Sequence, residues 1–241
     1  MVLQLPAVRC SAPAALMVRG GFVLSSLEMA DKLVIWGAGG HALVVADIIR
    51  LVGKYEIAGF LDDINPQRRG TDFLGCRVLG GREVLGELKR RAIDHVIFAF
   101  GDSEMRLELS RLVFDMGYRL VTAVHPRAIL APDIRINAGT VVAAGAVINP
   151  GTVIGSNVIV NTSASIDHNC FIQDGAHIGP GTRLAGGVLV KRGAEVGIGS
   201  VIARSVTVGA NARVGAGAVV LDDIPDEVVA YGVPARVVRK V

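Results

Sequence analysis

Three short turns in the first half of the chain carry the residue types that hold phosphate or ribose. The first, Gly37-Ala38-Gly39-Gly40-His41-Ala42, is entered from the apolar run Leu33-Val34-Ile35-Trp36 and left on an apolar spacing that suits a helix. Glycines there let the backbone turn sharply and let phosphate or ribose oxygens approach the N–H groups of a helix N-terminus. The second turn closes the run 56–61 with Asp62-Asp63, an acidic pair placed where ribose hydroxyls or a base edge would bind. The third, Gly101-Asp102-Ser103, follows the run 95–100 and opens a helical pattern through Arg106, Leu109 and Leu112. Taken singly, each turn is equally explained by Gly and Asp ending a strand, and His41 by a helix start. The second half of the chain adds two imidazoles, His168 and His177, side chains that exchange protons near neutral pH but that also occur on any exposed surface.

The elements that must position these residues divide the chain in two. From Lys32 the runs alternate as β-α-β-α-β over roughly 95 residues, which sends all three turns to the carboxyl edge of one parallel sheet. Their coincidence on one edge favours a ligand site over three unrelated strand ends. Beyond His125-Pro126 a period of six takes over. In hexads from Ala128 to Asp223, without insertion, the third residue is always aliphatic: Leu130, Ile136, Val142, Ile148, Ile154, Val160, Ile166, Ile172, Ile178, Leu184, Val190, Val196, Ile202, Val208, Val214 and Val220. With aliphatics at ordinary frequency, chance gives this run a probability on the order of 10⁻⁸. The first residue of nearly every hexad is small or β-branched, as a tight inner corner requires. Such a repeat reads as a parallel β-helix, three flat sides to a coil, with coils stacked at about 4.8 Å. Periodicity leaves its hand open, and a left-handed coil breaks the usual crossover rule. The expected architecture is an α/β Rossmann-like domain over residues 29–124 followed by a β-helix over 125–241.

Composition agrees. Of 241 residues 51% are hydrophobic, only 5% are aromatic and 30 are glycine, so the apolar content is small and β-branched and suits a tightly wound repeat. A net charge of +3, no Lys/Arg run longer than Lys89-Arg90-Arg91 and few aromatics argue against a nucleic-acid partner. Cys10, Cys76 and Cys170 form no CxxC, so spacing reveals neither a disulfide framework nor a thiolate zinc site, and a reducing cytoplasm is the default location. No uninterrupted apolar stretch of about 18 residues offers a membrane span. Residues 1–28 are expected to be a disordered or loosely attached extension ahead of a start at Met29, because Arg19-Gly20-Gly21 breaks the apolar region a signal peptide needs.

The strand followed by GAGGHA, then LDD, VHP, the uninterrupted hexads with NTSASIDHNC and GAHIGPG, and the terminal YGVPARVV together resemble the NeuD/PglD-type sugar acyltransferases over residues 32–241. The resemblance implies a left-handed β-helix packed as a homotrimer, with acetyl-CoA in the groove between neighbouring prisms and a nucleotide-linked amino sugar on the Rossmann-like domain. It implies His168 as the general base and Gly186 as a backbone N–H donor to the oxyanion. It further implies His177, Ile198 and Ala216 as contacts to acetyl-CoA, and Arg236, Arg239 or Lys240 as partners of its phosphates. Gly39, Gly40, His41, Asp62, Asp63 and Gly101 would hold the sugar nucleotide, the same turns that the sheet-edge argument selects. One residue departs from the family pattern: after the histidine, relatives typically carry an acid, and here Asn169 stands. An amide oxygen can accept the imidazole N–H and set its tautomer, but it supplies no charge. Asp167 is the other nearby candidate for that electrostatic role.

The activity so implied is acetyl transfer to the carbon-4 amine of a nucleotide-linked 4-amino-4,6-dideoxy sugar. O-acetylation of a sialic acid, or a noncatalytic sugar-nucleotide scaffold, are the alternatives. A nicotinamide-linked oxidoreductase would lack a catalytic domain. A zinc-dependent β-helix hydratase would need about three convergent histidines, so no metal is expected.

Overall fold

The computed structural model describes residues 30–241; the expected extension and the start at Met29 lie outside the described residues. Chain order is β1 (Asp31–Trp36), α1 (Gly40–Val52), β2 (Tyr55–Leu61), β3 (Asp72–Phe73), β4 (Cys76–Gly80), α2 (Leu85–Arg90), β5 (His95–Phe98), α3 (Ser103–Asp115) and β6 (Arg119–Leu120). These strands form one sheet in the order β3-β4-β2-β1-β5-β6, parallel except for β3 against β4. Strand alternation feeds two cores. Leu33 and Ile35 face α1 through Ala42, Val45 and Ala46, whereas Val34 and Trp36 face Leu85 and Leu88 of α2 and Leu109 and Val113 of α3. The β3–β4 hairpin stands outside the elements that the sequence pattern marks, and α2, too short to show a period of its own, fills the helix place that the β-α-β-α-β alternation leaves between β2 and β5.

The core around α1 also takes in Val121, Ala123 and Val141, which welds this domain onto the repeat half. The first rung, Ala123–Val124, pairs with Val141–Val142, so coil pairing begins two residues ahead of the expected boundary at 125. From there the chain is a left-handed parallel β-helix with sixteen further two-residue strands, one at the second and third positions of every hexad. Each residue pairs with one eighteen positions on, as in Val147↔Ser165↔Arg183↔Val201↔Val219. Three faces result: face I through Val141, Ile159, His177, Glu195 and Arg213, face II through the column just given, and face III through Val153, Phe171, Leu189 and Thr207.

Fourteen of the sixteen third-position aliphatics are buried, and Leu130 and Ile136 pack half-buried at the open first coil. First-position hydroxyls close the corners: Thr140, Thr152, Thr182 and Ser200 donate to carbonyls fifteen residues on, at 2.8–3.0 Å, so buried polar groups stay paired. The C-terminal strands Val228–Gly232 and Ala235–Lys240 form an antiparallel hairpin that extends face I.

Candidate active site

The carboxyl edge of the sheet gathers the three expected turns. Gly37 sits at φ +125°, and a Cβ there would lie 2.6 Å from the Ala99 carbonyl oxygen, so the β1 turn requires glycine. Around Gly39, Gly40 and Gly101 a Cβ would meet nothing within 4 Å, which leaves the approach to the α1 N-terminus open. No acidic side chain occupies the first turn of α1, and no side chain caps it. An anion therefore meets free N–H groups there without competition.

Asp62 and Asp63 stand at the same edge, but their carboxylates are engaged. Asp62 accepts from the backbone N–H groups of Ile64 and Asn65, from Asn65 Nδ2 and from Arg68, whose guanidinium also holds the Ala38 carbonyl at 2.6 Å. Asp63 accepts the Arg82 N–H at 2.6 Å and pairs with its guanidinium at 3.1 Å. Both acids thus shape the loops around the edge. A ribose hydroxyl would have to share them.

Against this edge, α3 lies over face I and forms a cleft of about 850 Å³ lined by Gly101, Ser103, His177, Arg192, Glu195 and Arg213. His41 and His177 are pushed down to about 4, by burial first and then by the charge of Arg106. Asn161 fixes the His177 tautomer: its Oδ1 accepts the Thr162 N–H at 2.8 Å, so its NH₂ faces His177 Nε2 at 3.3 Å. That nitrogen is an acceptor and the proton sits on Nδ1. Sequence reasoning does not single out Asn161 as a site residue, and it places Arg106 only as one position of the helical pattern. The available signal for Arg106 is a cation on the apolar stripe of α3 with Leu109 and Val113.

His168 occupies a different part of the prism. It is the fifth residue of its hexad, on the vertex between faces II and III, in a column with Gly186 one coil below and Arg204 a further coil on. Its imidazole is exposed and lies directly on Gly186, where a Cβ would come within 2.6 Å of both Cε1 and Nε2. The Gly186 N–H has no hydrogen-bond partner among the described residues, while the next residue, Gly187, donates to the His168 carbonyl at 2.9 Å. Asn169 holds the corner at φ +56°, a left-handed conformation that Asn tolerates better than most residues, and its Nδ2 lies 3.2 Å from His168 Nδ1. Turned over about its last bond, the amide presents its oxygen to Nδ1–H and frees Nε2 as a base. Asp167 does not touch the ring. Its Oδ1 accepts the His168 backbone N–H at 2.8 Å and Asn149 Nδ2 at 2.9 Å, and these bonds hold its carboxyl below the usual range. Cys170 points inward, donating to the Ala185 carbonyl at 3.3 Å, and burial pushes its thiol up, so it is no nucleophile partner for His168.

Beside His168, face II bears a groove of about 330 Å³ lined by Asn149, Ser165, Asp167, Arg183, Ala185 and Val201. Ile198 and Ala216 are both exposed and share the next vertex, between faces I and II, in a column with Thr162 and Pro180. Arg236 reaches the His168 vertex from the C-terminal hairpin, with its guanidinium 4.0 Å from Asp222. His177 and the sheet edge, on face I, lie across the prism from His168, since a vertex between two faces opposes the third. Among the described residues there is no His/Cys/Asp/Glu group that could hold a metal ion, and no helix is long and apolar enough to cross a membrane.

Residues 32–113 match the model of the PglD N-terminal domain family. A perosamine N-acetyltransferase from Caulobacter crescentus, solved as a histidine-to-asparagine mutant with CoA and GDP-perosamine, is 39% identical and superposes with a TM-score of 0.82 over 87% of this chain and 97% of that one. The acetyltransferase domain of PglB from Neisseria gonorrhoeae FA1090, solved with acetyl coenzyme A, is 35% identical, with a TM-score of 0.81 over 87% of this chain and all of that one (100%). UDP-N-acetylbacillosamine N-acetyltransferase of Bacillus subtilis (strain 168) is 35% identical over 117 residues, covering 47% of this chain and about half, 51%, of that relative's length.

Proposed function

Because the chain belongs to the NeuD/PglD-type sugar acyltransferase family, we propose that it transfers an acetyl group from acetyl-CoA to the carbon-4 amine of a nucleotide-linked 4-amino-4,6-dideoxy sugar. The observation that carries this reading is the stacking of the His168 imidazole on Gly186, which brings a base and an unpartnered N–H together on consecutive coils. In the reaction the sugar amine attacks the thioester carbonyl carbon while His168 Nε2 takes its proton. The carbonyl oxygen becomes an oxyanion that the Gly186 N–H stabilises. Collapse breaks the carbon–sulfur bond, and the CoA thiolate leaves with the proton held by His168, giving the amide and free CoA. Asn169 orients the ring through Nδ1 in this scheme.

The nucleotide would sit at the open glycine turns, with its phosphates on the α1 N-terminus and with His41, Gly101, Asp62 and Asp63 around it. Since that edge and His168 lie on opposite sides of one prism, the reaction calls for a second copy of the chain, and we assign a homotrimer. Each protomer's His168 then faces a neighbour's nucleotide-binding edge. Exposed Ile129, Val201 and Phe171 on faces II and III would be covered by such packing. Acetyl-CoA would run in the groove between prisms past His177, Ile198 and Ala216, with Arg236, Arg239 or Lys240 toward its phosphates. Both substrates are cytoplasmic metabolites in this reading, and the product would feed surface-glycan synthesis.

Of the relatives named above, one is solved with GDP-perosamine and another is named for UDP-N-acetylbacillosamine, so GDP-linked and UDP-linked amino sugars both belong in the test, together with CMP-sialic acid as an O-acetyl acceptor. Release of free CoA thiol is followed for each acceptor, with His168→Ala alongside. Turnover on one amino sugar that falls by about 10²-fold or more in the variant is the expected result. CoA binding without turnover on any acceptor would instead favour the noncatalytic scaffold, for which the uncharged Asn169 is the motivating residue.

A further inference from the structure

Arg106 is the largest fully buried side chain of the described residues, 1% exposed, and the reaction scheme above leaves it unused. It projects from the first turn of α3, just after the Gly101 turn. Its NH1 donates to the Phe100 carbonyl at 2.9 Å, at the exit of β5. Its Nε donates to the Asn157 carbonyl at 3.2 Å and its NH2 to the Gly175 carbonyl at 2.8 Å, on two consecutive coils of the prism. A second NH2 contact reaches Ser103 Oγ at 3.4 Å. One planar group therefore holds the nucleotide edge with one arm and the β-helix with the other two.

Resting on the acetyl-transfer reading, we propose that Arg106 is a positioning residue. Its guanidinium sets how the nucleotide-binding edge stands over face I, and so sets the placement of His41 against His177. A staple alone does not need a charge. A buried cation is destabilising unless paired, and no carboxylate lies within ion-pair distance of this one among the described residues. Asp102 and Glu195 act on it only through space, and Glu195 is itself 3.9 Å from Arg213. Burial and its charge hold His41 and His177 neutral. His41 Nε2 is buried with no hydrogen-bond partner among the described residues, so that ring has one open position beside the glycine turn. The positive charge thus has a task that a neutral staple would not perform: both imidazoles meet the ligand as neutral hydrogen-bonding groups in one fixed pose.

The test compares Arg106→Met, which removes charge and bridge, with Arg106→Lys, which keeps the charge but cannot span three carbonyls. Histidine rings labelled with ¹³C are titrated by NMR, with His41→Asn and His177→Asn to identify their signals. In Arg106→Met the two imidazoles should titrate about one pH unit higher, and in Arg106→Lys they should stay low. The kcat/KM for the amino sugar nucleotide should fall about tenfold or more in both variants at neutral pH, and the ratio of Arg106→Met to Arg106→Lys should drop further at pH 5, where about half of each shifted ring is protonated. Kinetics within about threefold of the parent in either variant would overturn the proposal. Unmoved imidazoles in Arg106→Met would do the same. If Arg106→Met does not fold, the kinetics of Arg106→Lys decide. If no acceptor is turned over, calorimetric binding of GDP and UDP replaces kinetics: a tenfold loss of affinity supports the positioning role and unchanged affinity overturns it, whatever becomes of the acetyl-transfer reading.

Discussion

Gly186→Ala separates the placement of the His168 ring from its presence. The added Cβ would lie 2.6 Å from Cε1 and Nε2 and 3.2 Å from Cδ2. Carbon contacts become comfortable at about 3.5 Å, so the ring must retreat by roughly 0.9 Å at the atom that takes the proton. Retreat disturbs folding little, because the ring is the exposed end of a flexible side chain and Gly186 lies outside the left-handed region that strains alanine. Alanine in an ordinary backbone conformation also reduces the freedom of the unfolded chain, so Tm should hold or rise slightly. The effect falls on catalysis: a base displaced by about 1 Å loses about 10²-fold, or about 2.7 kcal/mol of barrier. The backbone N–H survives the change, which leaves the oxyanion donor in place. Thiol release with acetyl-CoA and the amino sugar nucleotide gives kcat/KM, and a thermal melt gives Tm. Gly187→Ala is the control, since its φ of +73° strains alanine while the ring stays where it is. If Gly186→Ala turns over within about threefold of the parent, His168 does not act as a base from its place on Gly186.

Asn169→Asp places a carboxylate 3.2 Å from His168 Nδ1 at a corner whose φ of +56° Asp also tolerates. The acid limb of the kcat/KM profile should then move about one pH unit higher, and an unmoved limb in a folded variant would remove Asn169 as the ring's partner. His41 and His177 are neutral in the folded protein down to about 4, against 6.5 for a free imidazole, so between those values the unfolded chain binds more protons. Stability should therefore be full above pH 6.5 and fall as the pH drops toward 4, by up to about 1.4 kcal/mol per pH unit for each ring. Urea midpoints measured at pH 7.5, 6 and 5 check this, and equal midpoints would contradict it.

The hexads were legible because every third-position aliphatic answers to a local rule that the coil repeats, and all sixteen fall on rungs of the prism. The three turns were legible for a similar reason: a parallel sheet sends its strand ends to one edge whatever the details. The β3–β4 hairpin and α2 are too short to establish a period. Asp62 and Asp63 drew attention by position, yet their carboxylates are directed by Asn65, Arg68 and Arg82, partners whose distance only the folded loops define. Arg106 meets carbonyls 51 and 69 residues away, a separation that no window along the chain can read.

By itself, then, the sequence determined the α/β half, the sheet edge and the six-residue repeat of the prism, since each follows from a local period, while the stacking of Gly186 beneath His168 is read from the folded coils. Only the tertiary structure decided how the halves meet. It set α3 over face I, buried Arg106 between them, and left His168 on the opposing vertex, apart from His41 and His177. The reason is physical: periodicity governs which side of an element a residue occupies, whereas docking depends on the particular side chains and carbonyls that two surfaces offer each other.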